Sequence, residues 1–531
     1  MSTEQQVPDI KILALNEAYI KVLCKNEGIE RELSELYSFK IPNAQFDPRV
    51  KAKKWDGYIR LYSTYKKTIY KGLLTSVLKY AVKQKYTVDL DPSLRLDMRF
   101  NREELEQLVV DFIKPHDKGK PITPYDYQYD AVNHMLGSHR SIILAATSAG
   151  KSMMLYLAAR MYQMSDDMEG RQIFIIVPSK SLVEQLYDDF DNYSNFQESP
   201  WKASQFVQKV SGDYEKMIVK PIVITTWQSL KSFDSSVIAN AGAVFVDEAH
   251  TIKGPVLQSL LESATNCKYR HGLTGTLDGM ECNEMAAQGL LGPVKKIVSA
   301  KQLIEDGKAT KVNVRCVVLN YDENTRWSYL TAMSEKLKSK KVVKGSELYQ
   351  AEIEFINNLQ CRFNFIQRFV KSLKGNTIVL FDRVETYGVP LYEHMKAQHE
   401  NTFLIIGDVE AEEREDIRKS LETTTDAIVY ATSRIMSTGV NIKNLHNIVT
   451  VASNQSQVQT LQTIGRLMRL HDSKDTATIY DLVDDLTCMK KRNYMLKHVE
   501  ARLAYYNKEG HPVKFVEVGL NEAQPDSQTV K

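Results

Sequence analysis

The sequence lacks the features that mark secreted proteins, membrane-spanning proteins and proteins stabilised by a metal site. Its six cysteines are scattered and form no CxxC pair, which argues for reduced thiols and against both a disulfide framework and a zinc site. No apolar run approaches the roughly 18–20 residues that span a bilayer, and the N-terminus has no basic stretch followed by an apolar block. We therefore expect a cytoplasmic protein with no membrane partner.

Low-complexity tracts and a large net charge are also absent. With 531 residues, of which 43% are hydrophobic and 25% are charged, the chain is too long for one hydrophobic core, so three or four domains are expected. A net charge of +3 is too small to identify a nucleic-acid-binding protein. Any such surface must come from the local placement of Lys and Arg.

Two sets of short, nearly continuous apolar runs alternate with longer amphipathic stretches. Continuous apolar runs fit strands covered on both faces in a parallel sheet, so the alternation predicts an α/β fold with doubly wound domains. A helix-rich, lysine-bearing stretch at about 321–374 separates the sets, and the join between two tandem domains is expected near 301–311. The first set comprises 141–146, 173–177, 222–225 and 243–247, and the second comprises 377–381, 402–406, 427–431 and 447–451.

The two ends of the chain differ in composition from these α/β domains, which are expected at 118–305 and 306–484. Residues 1–117 are rich in Lys, Arg and Tyr and carry turn signals, which predicts a small α+β N-terminal domain. Residues 485–531 predict a basic helical segment followed by a polar tail, from Asn521 onward, that we expect to be disordered.

A candidate phosphate-binding loop follows the first apolar run and precedes a helix expected to begin at Met153. Small residues let backbone N–H groups close around phosphates, and a helix N-terminus adds the positive end of its dipole. Lys151 would reach the β- and γ-phosphates, and Ser152 would hold Mg²⁺. Ala145 replaces the first glycine of the general pattern, so a strand-to-helix turn that contains Gly-Lys-Ser by chance is the alternative. The residues expected around the nucleotide are Thr147, Ser148, Ala149, Gly150, Lys151 and Ser152.

Two acidic residues stand at the end of another predicted strand. Asp247 and Glu248 follow the run 243–246, at the edge where open α/β sheets bind ligands. Asp247 can hold the Mg²⁺ shared with Ser152, and Glu248 is placed to polarise the attacking water as a general base. A surface acidic turn is the alternative. Together with the loop, the pair predicts hydrolysis of ATP with Mg²⁺.

This combination of a phosphate loop with Asp247-Glu248-Ala249-His250 resembles the superfamily 2 helicases. The resemblance covers roughly residues 120–485 and implies two RecA-like domains that hydrolyse ATP while moving on nucleic acid. It also implies that Gln128 reads adenine and that Gly439 and Gln462 lie at the nucleotide. Segments similar to that family's motifs follow in its order at 125–128, 177–182 (motif Ia), 225–227 (motif Ib), 272–276 (motif III), 431–442 (motif V) and 462–469 (motif VI).

Two arginines in the last of these segments carry a physical expectation. Phosphoryl transfer needs cations beside the γ-phosphate, because charge spreads over its oxygens. On a helix, Arg466 and Arg469 are three residues apart and share a face, which would point across the cleft between the α/β domains. The site would then be complete only when the domains close. Two solvated arginines on an amphipathic helix are the alternative.

The N-terminal segment Phe46–Leu61, with its Phe-x-Pro-Arg and Trp-Asp-Gly-x-Ile-Arg-Leu elements, is similar to that of the recombination and repair helicases of T-even-like bacteriophages. This resemblance implies an enzyme, in the host cytoplasm, that unwinds branched DNA, migrates Holliday junctions, regresses forks and dissociates RNA–DNA hybrids in R-loops. We expect it to act as a monomer.

Candidate DNA contacts fall into two groups. In the N-terminal domain, basic residues can neutralise phosphates and neighbouring aromatic rings can stack on bases, although Trp55 could equally be a core residue. In the α/β domains, contacts should be to phosphates, because a translocase must step over any sequence. The first group is Arg49, Lys51, Lys53, Lys54 and Arg60, and the second is Ser179, Lys180, Thr226, Trp227, Arg383 and Thr432.

Three other functions remain open from the sequence. The first is a double-stranded DNA translocase that remodels protein–DNA complexes without separating strands. The second is an ATP-controlled clamp or scaffold without enzymatic activity, which the retained Lys151, Glu248 and arginines disfavour. The third is an RNA helicase of the DEAH type, which the N-terminal resemblance disfavours.

Overall fold

The computed structural model describes residues 7–95, 100–197, 199–212, 217–277, 279–338, 345–407, 411–433, 442–452 and 456–521. The chain divides into two compact units, Met1–Val298 and Ser299–Lys531. The N-terminal elements and the first predicted α/β domain belong to the same unit. The boundaries expected at residues 117, 305 and 484 stay predictions. No helix among the described residues is long and apolar enough to cross a membrane.

The N-terminal part has α+β character, as its composition predicts. Strands β1 and β2 are antiparallel, and β6 joins β1 in parallel, which gives the sheet order β5-β2-β1-β6. Alternate residues Ile10, Ile12, Ile20 and Val22 are buried beneath the helices, as period-two strands require. The strands are β1 (Ile10–Ala14), β2 (Tyr19–Cys24), β3 (Ser38–Lys40), β4 (Tyr58–Arg60), β5 (Thr68–Tyr70) and β6 (Val88–Leu90), and the helices are Glu27–Leu36, Pro48–Lys51, Leu74–Gln84 and Arg102–Leu108.

The first α/β domain contains a parallel sheet of seven described strands, in the order β11-β12-β10-β13-β14-β9-β15. All four apolar runs of the first set are strands. Because helices cover both faces of the sheet, these strands can be apolar at nearly every position. After the short hairpin β7 (His116–Asp117) and β8 (Lys120–Pro121) come β9 (Arg140–Ala145), β10 (Ile173–Val177), β11 (Val207–Val210), β12 (Ile222–Thr226), β13 (Ala243–Asp247), β14 (Tyr269–Thr274) and β15 (Val294–Val298). The helices are Asp126–Ser138, Lys151–Gln163, Lys180–Ser194, Ala203–Phe206, Trp227–Leu230, Ser235–Ala239, Pro255–Ser263 and Glu281–Leu291.

The second unit repeats this architecture with a parallel sheet of seven described strands, in the order β18-β19-β17-β20-β21-β16-β22. The second set of apolar runs forms four adjacent strands on one side of this sheet, and the expected helix-rich stretch at 321–374 is confirmed. The strands are β16 (Lys311–Tyr321), β17 (Thr377–Phe381), β18 (Thr402–Ile405), β19 (Ile428–Thr432), β20 (Asn447–Thr450), β21 (Thr476–Asp485) and β22 (Val513–Leu520). The helices are Ala300–Glu305, Glu323–Lys338, Gly345–Asn357, Gln360–Ser372, Val389–Lys396, Ala411–Thr423, Gln457–Leu467 and Tyr494–Lys508.

The C-terminal segment is helical as expected, but it also supplies a strand that the sequence did not predict. After the helix Tyr494–Lys508, β22 runs parallel to β16 at the edge of the second sheet. Because β22 is an edge strand, Lys514 and Glu517 are exposed and hide its apolar pattern. Within this segment, the helix Tyr494–Lys508 and the strand β22 therefore belong to the fold of the second sheet. The tail expected from Asn521 onward lies, apart from Asn521 itself, outside the described residues.

A buried carboxylate ties the helix Tyr494–Lys508 to the rest of its unit. Glu352 is fully buried and accepts hydrogen bonds from Tyr329 Oη at 2.6 Å and Asn493 Nδ2 at 3.1 Å. It also accepts the backbone N–H groups of Tyr494 and Met495, at 2.9 and 2.8 Å. A negative charge at a helix N-terminus satisfies unpaired N–H groups and complements the helix dipole.

The N-terminal sheet is held on the first α/β domain by ion pairs and by close packing. Glu17 accepts from Arg140 Nη2 at 2.6 Å and from Lys71 Nζ at 2.7 Å. A Cβ atom on Gly72 would lie 2.1 Å from the backbone oxygen of Gln288, so only glycine allows this approach. Because Arg140 begins β9, which leads to the phosphate loop, the N-terminal sheet is fixed at the root of that strand.

Candidate active site

The phosphate loop connects β9 to the helix Lys151–Gln163, which begins two residues earlier than expected. Ser148 and Gly150 have φ of 71° and 73°, so the loop passes twice through the left-handed region. The left-handed conformation favours glycine at position 150, and a Cβ atom there would also lie 2.3 Å from Gln128 Nε2 and displace that side chain. The backbone is thus folded into a tight turn directly at a helix N-terminus, as anion binding requires.

Gln128 contacts the loop itself. Its side-chain nitrogen donates to the backbone oxygen of Ala149 at 3.0 Å, and its oxygen accepts the N–H of Tyr125 at 2.8 Å. The side chain is buried, with 5% exposed. Gln128 therefore holds the position of the loop relative to the helix Asp126–Ser138.

Asp247 and Glu248 stand at the carboxyl end of β13, close to Lys151. Burial raises the pKa of Asp247 to about 6, the nearby Glu248 adds to this increase, and the charge of Lys151 opposes it. Asp247 Oδ1 accepts the N–H of Glu248 at 3.0 Å. Glu248 has φ of 52°, and this left-handed conformation turns the chain sharply after the strand.

His250 links this acidic segment to the end of β14. Its Nδ1 atom lies 3.2 Å from Glu248 Oε2 and 3.1 Å from Thr274 Oγ1. The Thr274 hydroxyl donates to the backbone oxygen of Thr276 at 2.7 Å, so its oxygen is available to accept a bond from His250. This link joins the segment Asp247–His250 to the segment that resembles motif III, and neither His250 nor Thr274 was among the predicted site residues.

The segment after Thr274 also packs on the phosphate loop. A Cβ atom on Gly275 would lie 3.0 Å from Thr147 Oγ1 and 3.6 Å from Lys151 Nζ. Gly275 therefore brings the end of β14 directly against the loop. Loop, acidic pair and β14 end form one cluster at the carboxyl edge of the first sheet.

Ser152 has a hydrogen-bonding partner that the sequence did not predict. Its Oγ atom lies 3.0 Å from Tyr193 Oη, and the Tyr193 ring packs against Tyr156. Burial raises the pKa of Tyr193, so its hydroxyl stays protonated. Tyr193 lies 41 residues along the chain from Ser152, and no sequence motif marks it.

The residues of this cluster fit Mg²⁺–ATP by the chemistry of their donors. The Ser152 hydroxyl and the Asp247 carboxylate are hard oxygen ligands of the kind that Mg²⁺ prefers. Lys151 and the N–H groups at the start of its helix suit phosphate oxygens.

Comparisons with known proteins show the family of the chain. The family described as Type III restriction enzyme, res subunit, matches residues 121–279, the N-terminal domain of the DNA helicase UvsW matches 9–91, and the Helicase conserved C-terminal domain matches 361–471. The chain is 30% identical over 518 residues to the ATP-dependent DNA helicase uvsW of Enterobacteria phage T4, covering 94% of this chain and 98% of that protein. The chain belongs to the UvsW family of superfamily 2 DNA helicases.

Solved structures are similar along most of the chain. The crystal structure of T4 UvsW, with 27% sequence identity and a TM-score of 0.50, covers 96% of this chain and 99% of that one. A putative HsdR subunit of a type I restriction enzyme from Vibrio vulnificus, at 18% identity and a TM-score of 0.55, shares the fold over 81% of this chain and 73% of that one. As a UvsW-family helicase the chain is an ATP-dependent enzyme that acts on DNA, with two RecA-like domains.

The second unit of this UvsW-family chain holds the predicted arginines, but not on one helix. The helix Gln457–Leu467 contains Gln462 and Arg466, and Arg466 is 8% exposed. Arg469 lies two residues beyond the helix end, where its backbone oxygen accepts the Thr310 hydroxyl at 2.9 Å. The expected shared helical face is therefore wrong for Arg469. Gly439, like the rest of 434–441, lies outside the described residues.

The candidate DNA contacts in the α/β domains occupy helix starts and strand ends. Ser179 caps the helix that starts at Lys180, and Thr226 caps the helix that starts at Trp227. Thr226 is buried with 3% exposed, so its hydroxyl serves the cap. In the second unit, Arg383 is exposed just after β17, and Thr432 ends β19. The structure thus places each candidate at the carboxyl edge of its own sheet.

In the N-terminal domain, the predicted basic residues divide into paired and exposed groups. Arg49 pairs with Asp47 at 3.0 Å and lies over the ring of half-buried Trp55. Arg60 pairs with Asp56 at 2.5 Å. The carboxylates of Asp47 and Asp56 offset part of the positive charge of these two arginines. The exposed lysines of this segment are Lys51, Lys53 and Lys54.

Proposed function

We propose that this UvsW-family helicase acts on branched DNA in recombination and repair, where it migrates Holliday junctions, regresses forks and dissociates RNA–DNA hybrids in R-loops. The proposal is carried by one observation: the sheet that ends in the Lys151–Asp247 cluster also bears, at the root of β9, an N-terminal domain with exposed lysines. An ATPase domain with a basic N-terminal domain fixed to it suits a branched substrate, because one arm of the DNA can be held while another arm moves.

Within the ATP site we assign roles from the placement of the side chains. Lys151 neutralises the β- and γ-phosphates, Glu248 polarises the attacking water, and Ser152 and Asp247 would hold Mg²⁺. Bound Mg²⁺ would supply further positive charge at the phosphate oxygens. The remaining nucleotide contacts are proposed for Gln128, Thr147, Ser148, Ala149, Gly150, Gly439 and Gln462.

Arg466 and Arg469 are proposed as arginine fingers, which compensate the charge that develops on the γ-phosphate. The position of Arg469 beyond its helix leaves its side chain outside the helical register of Arg466. Replacing each arginine by Lys keeps one charge but removes the planar fork, so both variants should lose turnover while retaining nucleotide binding.

DNA contacts are proposed for the backbone of the tracked strand in both α/β domains and for the basic N-terminal segment. Since the contacts are to phosphates, affinity should fall steeply with salt. The candidate set is Arg49, Lys51, Lys53, Lys54, Arg60, Ser179, Lys180, Thr226, Trp227, Arg383 and Thr432. A functional monomer is also proposed, and light scattering of the enzyme on a single fork would test it.

Strand displacement on several substrates tests this function. A four-way junction, a fork, an R-loop and a linear duplex of equal length are compared at one ATP concentration. We expect faster separation on the junction, fork and R-loop than on the linear duplex. Equal rates on all four substrates would contradict a preference for branched nucleic acid.

A second candidate is a double-stranded DNA translocase that remodels protein–DNA complexes without separating strands. The match of residues 121–279 to the Type III restriction enzyme family favours it. A triplex-displacement assay distinguishes the two functions, because a translocase removes the third strand from an intact duplex. Triplex displacement without strand displacement on any branched substrate would support this candidate instead.

A further inference from the structure

Tyr65 is exposed to solvent at the tip of a hairpin loop. Its side chain is 93% exposed, the largest value among the described large hydrophobic residues. Both apolar faces of the ring are therefore available for stacking on a partner.

The loop that carries Tyr65 is tightly built. Ser63 and Thr68 exchange two backbone hydrogen bonds, at 2.9 and 3.3 Å, and the Ser63 hydroxyl accepts the N–H of Lys66 at 3.1 Å. Just outside the loop, Tyr62 and Ile69 are buried in the core of the N-terminal sheet. The loop is therefore fixed at its base, and little conformational entropy is lost when its tip binds a partner.

Lysines lie next to Tyr65 in the chain and at the base of its loop. Lys66 is adjacent and exposed, and Lys21, also exposed, lies opposite Thr68 in the pairing of β2 with β5. Lys67 pairs with Glu30 at 2.5 Å, which holds it at the base of the loop. Lysine is depleted in protein–protein interfaces, whereas a lone aromatic ring among lysines is the pattern that single-stranded nucleic acid recognition uses.

We propose that Tyr65 stacks on an exposed base face at the branch point of DNA, while Lys66 and Lys21 contact the neighbouring phosphates. An intact duplex offers no such face along its length, because its bases are stacked on one another. Forks and junctions expose terminal or unpaired bases. The inference rests on the proposed action on branched DNA and names the residue that recognises the branch.

The test uses the full-length protein and a fork with 2-aminopurine at the first unpaired position. Stacking on Tyr65 should quench its fluorescence, and Tyr65→Ala should abolish the quenching and weaken fork binding by about 5- to 100-fold. Tyr65→Phe should retain both, because stacking does not need the hydroxyl. Val82→Ala, which removes two methyl groups from a 77% exposed side chain on a helix of the same domain, is the control and should match wild type.

Binding to a relaxed closed circular duplex serves as the second measurement, because such DNA has no ends or forks. The loss of binding affinity in Tyr65→Ala should appear on the fork and not on the closed circle. Equal fork affinity and equal quenching in Tyr65→Ala and wild type would overturn the inference while leaving the proposed function intact. A wild-type enzyme that shows no preference for forks over the closed circle would instead contradict the proposed function.

Discussion

His250 Nδ1 lies 3.1 Å from Thr274 Oγ1, so one hydrogen bond joins the acidic segment after β13 to the end of β14. The same His250 atom lies 3.2 Å from Glu248 Oε2. A change at Glu248 can therefore reach β14 through a single side chain. Gly275, the next residue along, packs on the phosphate loop, which places this link between the water-polarising carboxylate and the rest of the cluster.

Breaking this link should separate ATP turnover from DNA unwinding. Thr274→Val keeps the shape of the side chain but removes the hydroxyl, so we expect strand separation per ATP hydrolysed to fall by about tenfold, the equivalent of roughly 1.4 kcal/mol. The measurement is the ratio of strand-displacement rate to ATPase rate on a fork. Thr377→Val, which removes a buried hydroxyl from the second unit, is the control, and an unchanged ratio in Thr274→Val would contradict this role.

Glu248→Gln should stop hydrolysis without preventing nucleotide binding. The amide has the shape of the carboxylate but cannot accept a proton, so turnover should fall by roughly 10²- to 10⁴-fold. Binding of a fluorescent ATP analogue should stay within about threefold of wild type, because the phosphate contacts of the loop remain. A variant that hydrolyses ATP at near wild-type rate would show that another group polarises the water.

Removing one partner of the buried Arg362–Asp484 pair should destabilise the second unit. Both side chains are fully buried, and the two bonds between them measure 2.8 and 3.1 Å. Arg362→Met leaves an uncompensated buried carboxylate, so we expect a loss of about 3–5 kcal/mol in the free energy of unfolding. Chemical denaturation measures it. Arg362→Met combined with Asp484→Asn should be more stable than Arg362→Met alone, and the opposite order would contradict the electrostatic explanation.

The first unit should lose stability in mild acid because two histidines are buried in neutral form. Burial lowers the pKa of His139 to about 4, and that of His271, which bonds Ser141 and Tyr162, well below its usual value. Below about pH 6.5 the unfolded chain binds protons that these folded histidines do not. Stability therefore falls as pH decreases from about 6.5 towards 4, by up to about 1.4 kcal/mol per pH unit for each histidine.

Thermal unfolding of wild type and His271→Gln at several pH values checks this dependence. The variant is expected to be less stable near pH 7, because its bonds to Ser141 and Tyr162 are disturbed, but to lose less with acid. Parallel curves for the two proteins would show that His271 does not cause the acid sensitivity.

Eight of the strands could be predicted because their sequences are nearly continuous in apolar residues. Every one of the eight apolar runs is a strand in the structure. The missed strands have mixed sequences with a physical cause. In β21, for example, Asp481 and Asp484 are buried, and they are tolerated only because Arg502 and Arg362 reach them from distant helices. Such pairings depend on the folded chain and leave no local pattern.

The candidate site also has features that the sequence predicts and features that depend on the folded chain. The phosphate loop and the Asp247–Glu248 pair follow from residue types at strand ends, whereas the contact of Ser152 with Tyr193 depends on how two helices cross. The shared face of Arg466 and Arg469 was inferred from ideal helical spacing. It is wrong because the helix ends at Leu467, a detail of helix termination that spacing alone does not reveal.

The most direct test of the account is the ATPase rate of wild type and Lys151→Ala without DNA and with single strands, linear duplex or a four-way junction. Wild type should turn over slowly without DNA and fastest with the junction, and Lys151→Ala should show no turnover with any of them. Turnover in wild type that is independent of DNA, or turnover that survives in Lys151→Ala, would contradict a DNA-driven motor powered at this phosphate loop.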